Sequence, residues 1–90
     1  MTATPGIDIY GTEFCSYCTA ARMLLKSRGL PYNDIKISND PEARREMEQR
    51  SGRRSVPQIF IGGQPIGGFD ELCELDESGE LARLTGGQPE

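Results

Sequence analysis

The sequence predicts an α/β fold, a small four-stranded mixed sheet flanked by helices. Three observations carry this. Between Ile7 and Ile37 the apolar residues alternate, then recur at helical spacing, then alternate again. The densest apolar run, Val56 to Ile61, is followed at once by the pair Gly62-Gly63, a two-residue hairpin signal. Between these, Asp40 and Pro41 supply the cap and first residue of another helix.

In chain order, Ile7 to Tyr10 opens after Pro5-Gly6 and stops at Gly11-Thr12, as a short strand does. From Tyr17 to Arg28 the residues Tyr17, Ala20, Ala21, Leu24 and Leu25 form one face of a helix, and Gly29 sits at its C-terminal cap. Tyr32 to Ile37 alternates and is expected to lie parallel to the first strand, with the helix as crossover. The helix from Pro41 ends near Arg50, before Ser51-Gly52. It has a thin apolar face of Ala43 and Met47, so it should be mostly solvated. Val56 to Ile61 suits a central strand covered on both faces, with Pro57 at its start because proline cannot donate inside a ladder. Gln64 to Ile66 pairs antiparallel with it, and Gly67-Gly68 ends that strand. A third helix from Asp70 to Ser78 carries Leu72, Cys73 and Leu75, and a short one covers Glu80 to Leu84. One domain over residues 1–90 is expected, with 85–90 as a frayed tail.

Composition narrows the function. Ten Lys and Arg against 14 Asp and Glu give a net charge of −4, which argues against a nucleic-acid partner, since phosphate binding needs a basic footprint. No apolar run approaches the roughly 20 residues of a membrane span, and Met1 to Gly6 lacks the features of a secretory signal, so a cytoplasmic location and no membrane partner are expected. Three cysteines fit a reducing compartment, where a close pair is catalytic or metal-binding more often than structural.

Two of those cysteines stand three residues apart in Phe14-Cys15-Ser16-Tyr17-Cys18, where strand gives way to helix. A helix N-terminus favours the thiolate, the form that attacks a disulfide, so Cys15 is the candidate nucleophile. Cys18, one turn inside and more buried, is the candidate resolving thiol. Two other readings stay open on spacing alone. A zinc site would need four Cys or His ligands where the chain offers only Cys73 in addition and no His, and a buried structural pair needs no partner at all.

With Cys15-Ser16-Tyr17-Cys18 in place, Ser55-Val56-Pro57 and Gly67-Gly68-Phe69-Asp70 complete a resemblance that spans nearly the whole chain. The sequence resembles the glutaredoxin family, whose pattern is Cys-Pro-Tyr-Cys, then Thr-Val-Pro, then Gly-Gly-x-Asp/Ser. Arg50 to Ile61 looks like the matching segment of bacterial dithiol members. The resemblance implies a thioredoxin-like fold and a glutathione-dependent thiol-disulfide oxidoreductase acting on protein disulfides and glutathionylated proteins. It implies that Val56 offers its backbone to the cysteinyl part of glutathione, next to Ser55, and that Pro57 is cis. The γ-glutamyl carboxylate would be held by amides at Phe69 and Asp70 after Gly68, and Asp70 would also meet the ammonium group. For the glycyl carboxylate, Arg44 and the Arg53-Arg54 pair match best by position. Arg45 and Arg50, with Glu46 and Glu48, read as a solvated helix face. Tyr17 either lines the groove or packs in the core.

Three departures from the pattern matter. Thr12 stands where many relatives have a lysine, leaving the helix N-terminus more of the work of holding the thiolate. Ser55 replaces threonine. Ser16 replaces the proline between the cysteines, and some members with serine there bind a 2Fe–2S cluster between two protomers. The resemblance therefore also implies an alternative, a cluster carrier or redox sensor with Cys15 as metal ligand and a cluster-bridged dimer in place of a monomer. Cys73 reads as a packed hydrophobe, with a regulatory thiol as the sharper alternative. A thioredoxin is less compatible, since that family keeps a tryptophan beside its thiols and this chain has none.

Overall fold

A computed structural model describes residues 6–85. The strands are β1 (Ile7–Gly11), β2 (Asn33–Lys36), β3 (Gln58–Ile61) and β4 (Gln64–Gly67), and the helices are α1 (Ser16–Ser27), α2 (Pro41–Ser51), α3 (Phe69–Ser78) and α4 (Glu80–Thr85). They form one mixed sheet in the order β2-β1-β3-β4. β1 is parallel to β2 through the α1 crossover and antiparallel to β3, which turns through Gly62-Gly63 into antiparallel β4.

Strand alternation divides the core between two faces. Ile7, Ile9, Ile59 and Ile61 point to one side, where Ala21 and Leu25 of α1, Leu72 of α3 and Leu81 of α4 cover them. Tyr10 and Phe60 point to the other, against Ile37 and against Ala43 and Met47 of α2. Every residue of β3 is buried, as its unbroken apolar run requires of a strand packed on both faces.

The α2 side corrects one expectation. Arg50 does not belong to a solvated face: its guanidinium lies 4.1 Å from the Phe60 ring centroid and donates to the Tyr10 hydroxyl at 2.7 Å and to Asp8 at 3.3 Å. Tyr10 in turn donates to Glu46 at 2.7 Å. A cation over an aromatic face with its charge partly paired can sit half-buried, so Arg50 fastens a helix that has only two apolar anchors.

Boundaries also move. Tyr32 and Ile37 lie outside β2, and Val56 and Pro57 lie outside β3, which begins at Gln58, directly after the proline that has no N–H to give a ladder. α1 and α3 start one residue earlier than expected, at Ser16 and Phe69. Thr85 is not in a tail: it is buried, and its hydroxyl donates to the Leu81 carbonyl at 2.8 Å. The remainder of the predicted tail, 86–90, lies outside the described residues.

Sheet topology gathers the loops that matter at one end of the strands. Tyr10, near the end of β1, pairs with Gln58 at the start of β3, and Ile59 pairs with Gly67 at the end of β4. The chain leaving β1 for α1, the chain entering β3 and the chain leaving β4 for α3 therefore meet there.

Candidate active site

Cys15 is the N-cap of α1, in extended conformation, and its sulfur accepts the Cys18 amide at 3.2 Å. The sulfur thus takes the place of the oxygen that usually caps a helix, facing backbone N–H groups that have no intrahelical acceptor. Its thiol points toward the Val56 carbonyl at 3.9 Å. Cys18 is fully buried one turn in, and all three cysteines are free thiols.

The two thiols are unlike. Burial alone would raise the Cys15 pKa, but the Cys18 thiol, the amides of Cys18 and Tyr17 and the charge of Arg22 outweigh it and bring the thiol below its ordinary value. Cys18 is pushed up to about 11, chiefly by burial and by its bond to Cys15. One sulfur is therefore set up to be an anion and the other to stay protonated. Cys73, on α3, is raised by burial and by the acidic groups Glu77, Asp70 and Asp76, which makes it a poor nucleophile.

Arg22 was not singled out by its sequence, though a basic residue four after Cys18 is one helical turn away and could have been. Its guanidinium donates to the Thr12 carbonyl at 3.2 Å and to Asp34 at 3.1 Å. A methyl group placed on Gly11 would fall 2.7 Å from the Cys18 sulfur and 3.2 Å from the Arg22 Nη2, so both crowd onto the bare backbone of Gly11. The chain lacks a lysine at Thr12, but it brings a cation to the thiols from inside α1. In Arg22→Gln the Cys15 midpoint should rise. Below that midpoint alkylation by iodoacetamide, followed by mass spectrometry at Cys15, should slow by about twofold. An unchanged profile would show that Asp34 cancels the charge.

Beside Cys15 runs an open groove of about 260 Å³ lined by Tyr17, Arg53, Ser55, Val56, Pro57, Gln58, Gly68, Phe69, Asp70 and Glu71. The Val56-Pro57 peptide is cis. Tyr17 is exposed rather than in the core, with its ring centroid 6.1 Å from that of Phe69. Opposite, α3 begins with Gly68 as N-cap, whose amide donates to the Glu71 carboxylate at 2.8 Å. The first-turn amides of Phe69 and Asp70 have no intrahelical acceptor.

Of the residues named from the sequence, Tyr17, Ser55, Val56, Pro57, Gly68, Phe69 and Asp70 share this groove, with the Cys15–Cys18 pair next to it. Arg53 lines it as well. Arg44 and Arg54 do not. Arg44 borders a separate hollow with Ile37 to Pro41, and Arg54 is almost fully exposed, 3.8 Å from Glu48. Gln58 and Glu71 were missed. Gln58 is buried and donates to the Ser55 carbonyl at 2.9 Å, bracing the loop before β3. Glu71 stands three residues after Gly68, the spacing at which an acidic side chain reaches back to the cap amide. Among the described residues no group of three or more His, Cys, Asp or Glu could hold a metal ion, and no helix is long and apolar enough to cross a membrane.

Comparison with known proteins agrees with this arrangement. The glutaredoxin family model matches residues 7–66. Glutaredoxin 3 of Escherichia coli K12 is 47% identical over 78 residues, covering 87% of this chain and 94% of its own. A glutaredoxin of Neisseria meningitidis serogroup A is 47% identical over 79 residues, covering 87% and 93%. Among solved structures, the glutaredoxin of Brucella melitensis is 42% identical with a TM-score of 0.81, over 93% of this chain and 91% of that one. A buckwheat glutaredoxin–glutathione complex gives a TM-score of 0.82 at 27% identity, over 91% and 77%. Two unequal thiols at the mouth of a groove, on this sheet and with these relatives, place the chain in the glutaredoxin family of thiol-disulfide oxidoreductases.

Proposed function

We propose that the protein is a glutathione-dependent oxidoreductase that reduces protein disulfides and protein–glutathione mixed disulfides through Cys15 and Cys18. The observation that carries this reading is the position of the Cys15 sulfur, capped by the Cys18 amide and facing the Val56 carbonyl at the groove. The Cys15 thiolate attacks the glutathione sulfur of a mixed disulfide. The protein thiolate leaves and takes up a proton, and Cys15 is left bonded to glutathione. A second glutathione thiolate then attacks that glutathione sulfur, releasing oxidised glutathione and restoring Cys15. With a protein disulfide, Cys18 closes on Cys15 instead, and two glutathiones reopen the pair.

In this reading the tripeptide lies along the groove. The Val56 backbone pairs with its cysteinyl unit, and the first-turn amides of α3 at Phe69 and Asp70 take the γ-glutamyl carboxylate, as helix N-termini take anions. The Asp70 carboxylate meets the ammonium group. Arg53, on the groove wall, is the cation for the glycyl carboxylate, ahead of Arg44 and Arg54, which stand off the groove. The glutathione complex of the buckwheat relative supports the choice of ligand.

The test is a titration of isotope-labelled protein with S-methylglutathione, which cannot react. Amide shifts should centre on Val56, Phe69, Asp70 and Arg53, and Arg53→Ser should weaken binding by roughly threefold to tenfold, the worth of one partly exposed charge-assisted contact. Absence of saturable shifts at these amides would refute the glutathione reading.

A further inference from the structure

Arg22 is drawn into the fold on the side of the buried thiol. It stands four residues after Cys18 on α1, and long side chains on a helix lean toward its N-terminus, so the guanidinium comes back alongside Cys18. Only 14% of the side chain is exposed. Its Nε donates to Asp34 of β2 and its Nη2 to the Thr12 carbonyl, which fixes the planar group between strand and loop. Gly11 puts nothing in between. The point where a Cβ would sit on Gly11 is 2.7 Å from the Cys18 sulfur and 3.2 Å from the Arg22 Nη2. Cys15, by contrast, is two turns from Arg22 and has the backbone amides of the helix start to stabilise its charge.

Cys18 needs a cation at one moment of the reaction. In the free dithiol it stays protonated, because burial and the neighbouring Cys15 raise its pKa against the lowering by the Thr12 amide and Arg22. Once Cys15 is bonded to glutathione, its sulfur bears no charge and offers no anion for the Cys18 thiol to bond. Both contributions of Cys15 then fall away, and burial is opposed by the Thr12 amide and the Arg22 charge. The other charged groups of this region lie in water. Asp34 and Lys36 are 28% and 47% exposed, and Glu13 is exposed and accepts from Ser38, so solvent screens them more than it screens Arg22.

We propose that Arg22 is a positioning residue for the resolving step: acting through Cys18, it promotes attack on the Cys15–glutathione disulfide and so sets how often that intermediate closes before a second glutathione reaches it. Cys18 gives its proton to water, and its sulfur bonds to the Cys15 sulfur. The bond from Cys15 to glutathione breaks, and the glutathione thiolate leaves and takes up a proton. Cys18 is oxidised as the glutathione sulfur is reduced, so no outside electron carrier enters the step. This inference deepens the proposed function and rests on it. There, a protein disulfide requires Cys18 to act and a glutathionylated protein does not, so Arg22 bears on the division between the two substrate classes.

The experiment follows closure directly. Reduced protein is mixed with oxidised glutathione concentrated enough that the adduct at Cys15 builds up before it closes, quenched in acid at intervals and weighed by mass spectrometry. Loss of the adduct as the internal disulfide grows gives the closure rate. Arg22→Gln, with folding checked by circular dichroism, should slow closure about fivefold while slowing adduct formation only about twofold. Arg22→Lys, which keeps the charge and loses the planar fork, should return closure to within about twofold of the parent. Equal slowing of the two steps, unchanged closure, or a lysine variant as slow as the glutamine one would overturn the role of Arg22. A Cys18→Ser protein that takes up no glutathione at Cys15 would instead overturn the functional reading beneath it.

Discussion

Cys15→Ser should abolish turnover, a loss of at least about a thousandfold in the glutathione-coupled reduction of a mixed disulfide, because it removes the proposed nucleophile itself. Cys18→Ser should retain most of that activity and lose the reduction of protein disulfides. The difference follows from the environments of the two sulfurs. Cys18, fully buried and with its pKa pushed up to about 11, has roughly one thiolate in ten thousand at pH 7 and cannot open the reaction. In the proposed route it acts only on a mixed disulfide already formed at Cys15, one helical turn away. Cys15 is lowered instead, so its rate should hold on the alkaline side of its midpoint and fall about tenfold per pH unit below it, as the thiol takes up its proton. Serine at position 18 also offers a hydroxyl in place of the thiol that bonds the Cys15 sulfur, which keeps one of the contacts that lower it. Equal, complete loss in both variants on the small mixed disulfide would rule out the one-cysteine route.

Much of this site was legible before any coordinates, because its parts are made by local chain chemistry. Cys15, between a strand and a helix start, is the N-cap of α1, and Gly62-Gly63 after a β-branched run makes a hairpin that returns the chain to the same end of the sheet. The pieces that escaped are those whose meaning comes from across the fold. Arg50 looked like one more charge on a polar helix, but Tyr10 and Phe60, on strands far away in sequence, turn it into a half-buried clamp. Arg22 had no signal beyond its spacing, and its effect on the thiols arises because Asp34 of β2 and the Thr12 carbonyl hold it there. The arginines after Gly52 illustrate the limit most sharply. Arg53 and Arg54 are adjacent and chemically identical, yet only Arg53 lines the groove, a choice made by the backbone of an irregular loop that carries no periodicity to read.

The two glycines that lead into α3 should respond very differently to alanine, although the sequence treats them alike. Gly67 closes β4 with φ +118, a conformation that L side chains rarely adopt, and a methyl group there would lie 2.9 Å from the Cγ, Cδ and Oε1 atoms of Glu71. The backbone cost is of order 1–3 kcal/mol. The clash adds to it by displacing the carboxylate that accepts the Gly68 amide at 2.8 Å, a cap worth about 1 kcal/mol. Together these are a large share of the roughly 5–15 kcal/mol that holds a domain of this size folded, and Gly67→Ala should lower Tm by about 10–20 °C. Gly68 has φ −101, and its added methyl would meet the Pro57 carbonyl at an ordinary 3.4 Å, so Gly68→Ala should stay within a few degrees of the parent. Since Glu71 sets the direction of the first turn whose amides face the groove, Gly67→Ala should also weaken S-methylglutathione binding beyond what the loss of stability explains. A thermal melt and a binding titration on the two variants separate the effects. Equal melts would mean that Glu71 swings aside without cost and that the first turn of α3 is held by packing rather than by its cap.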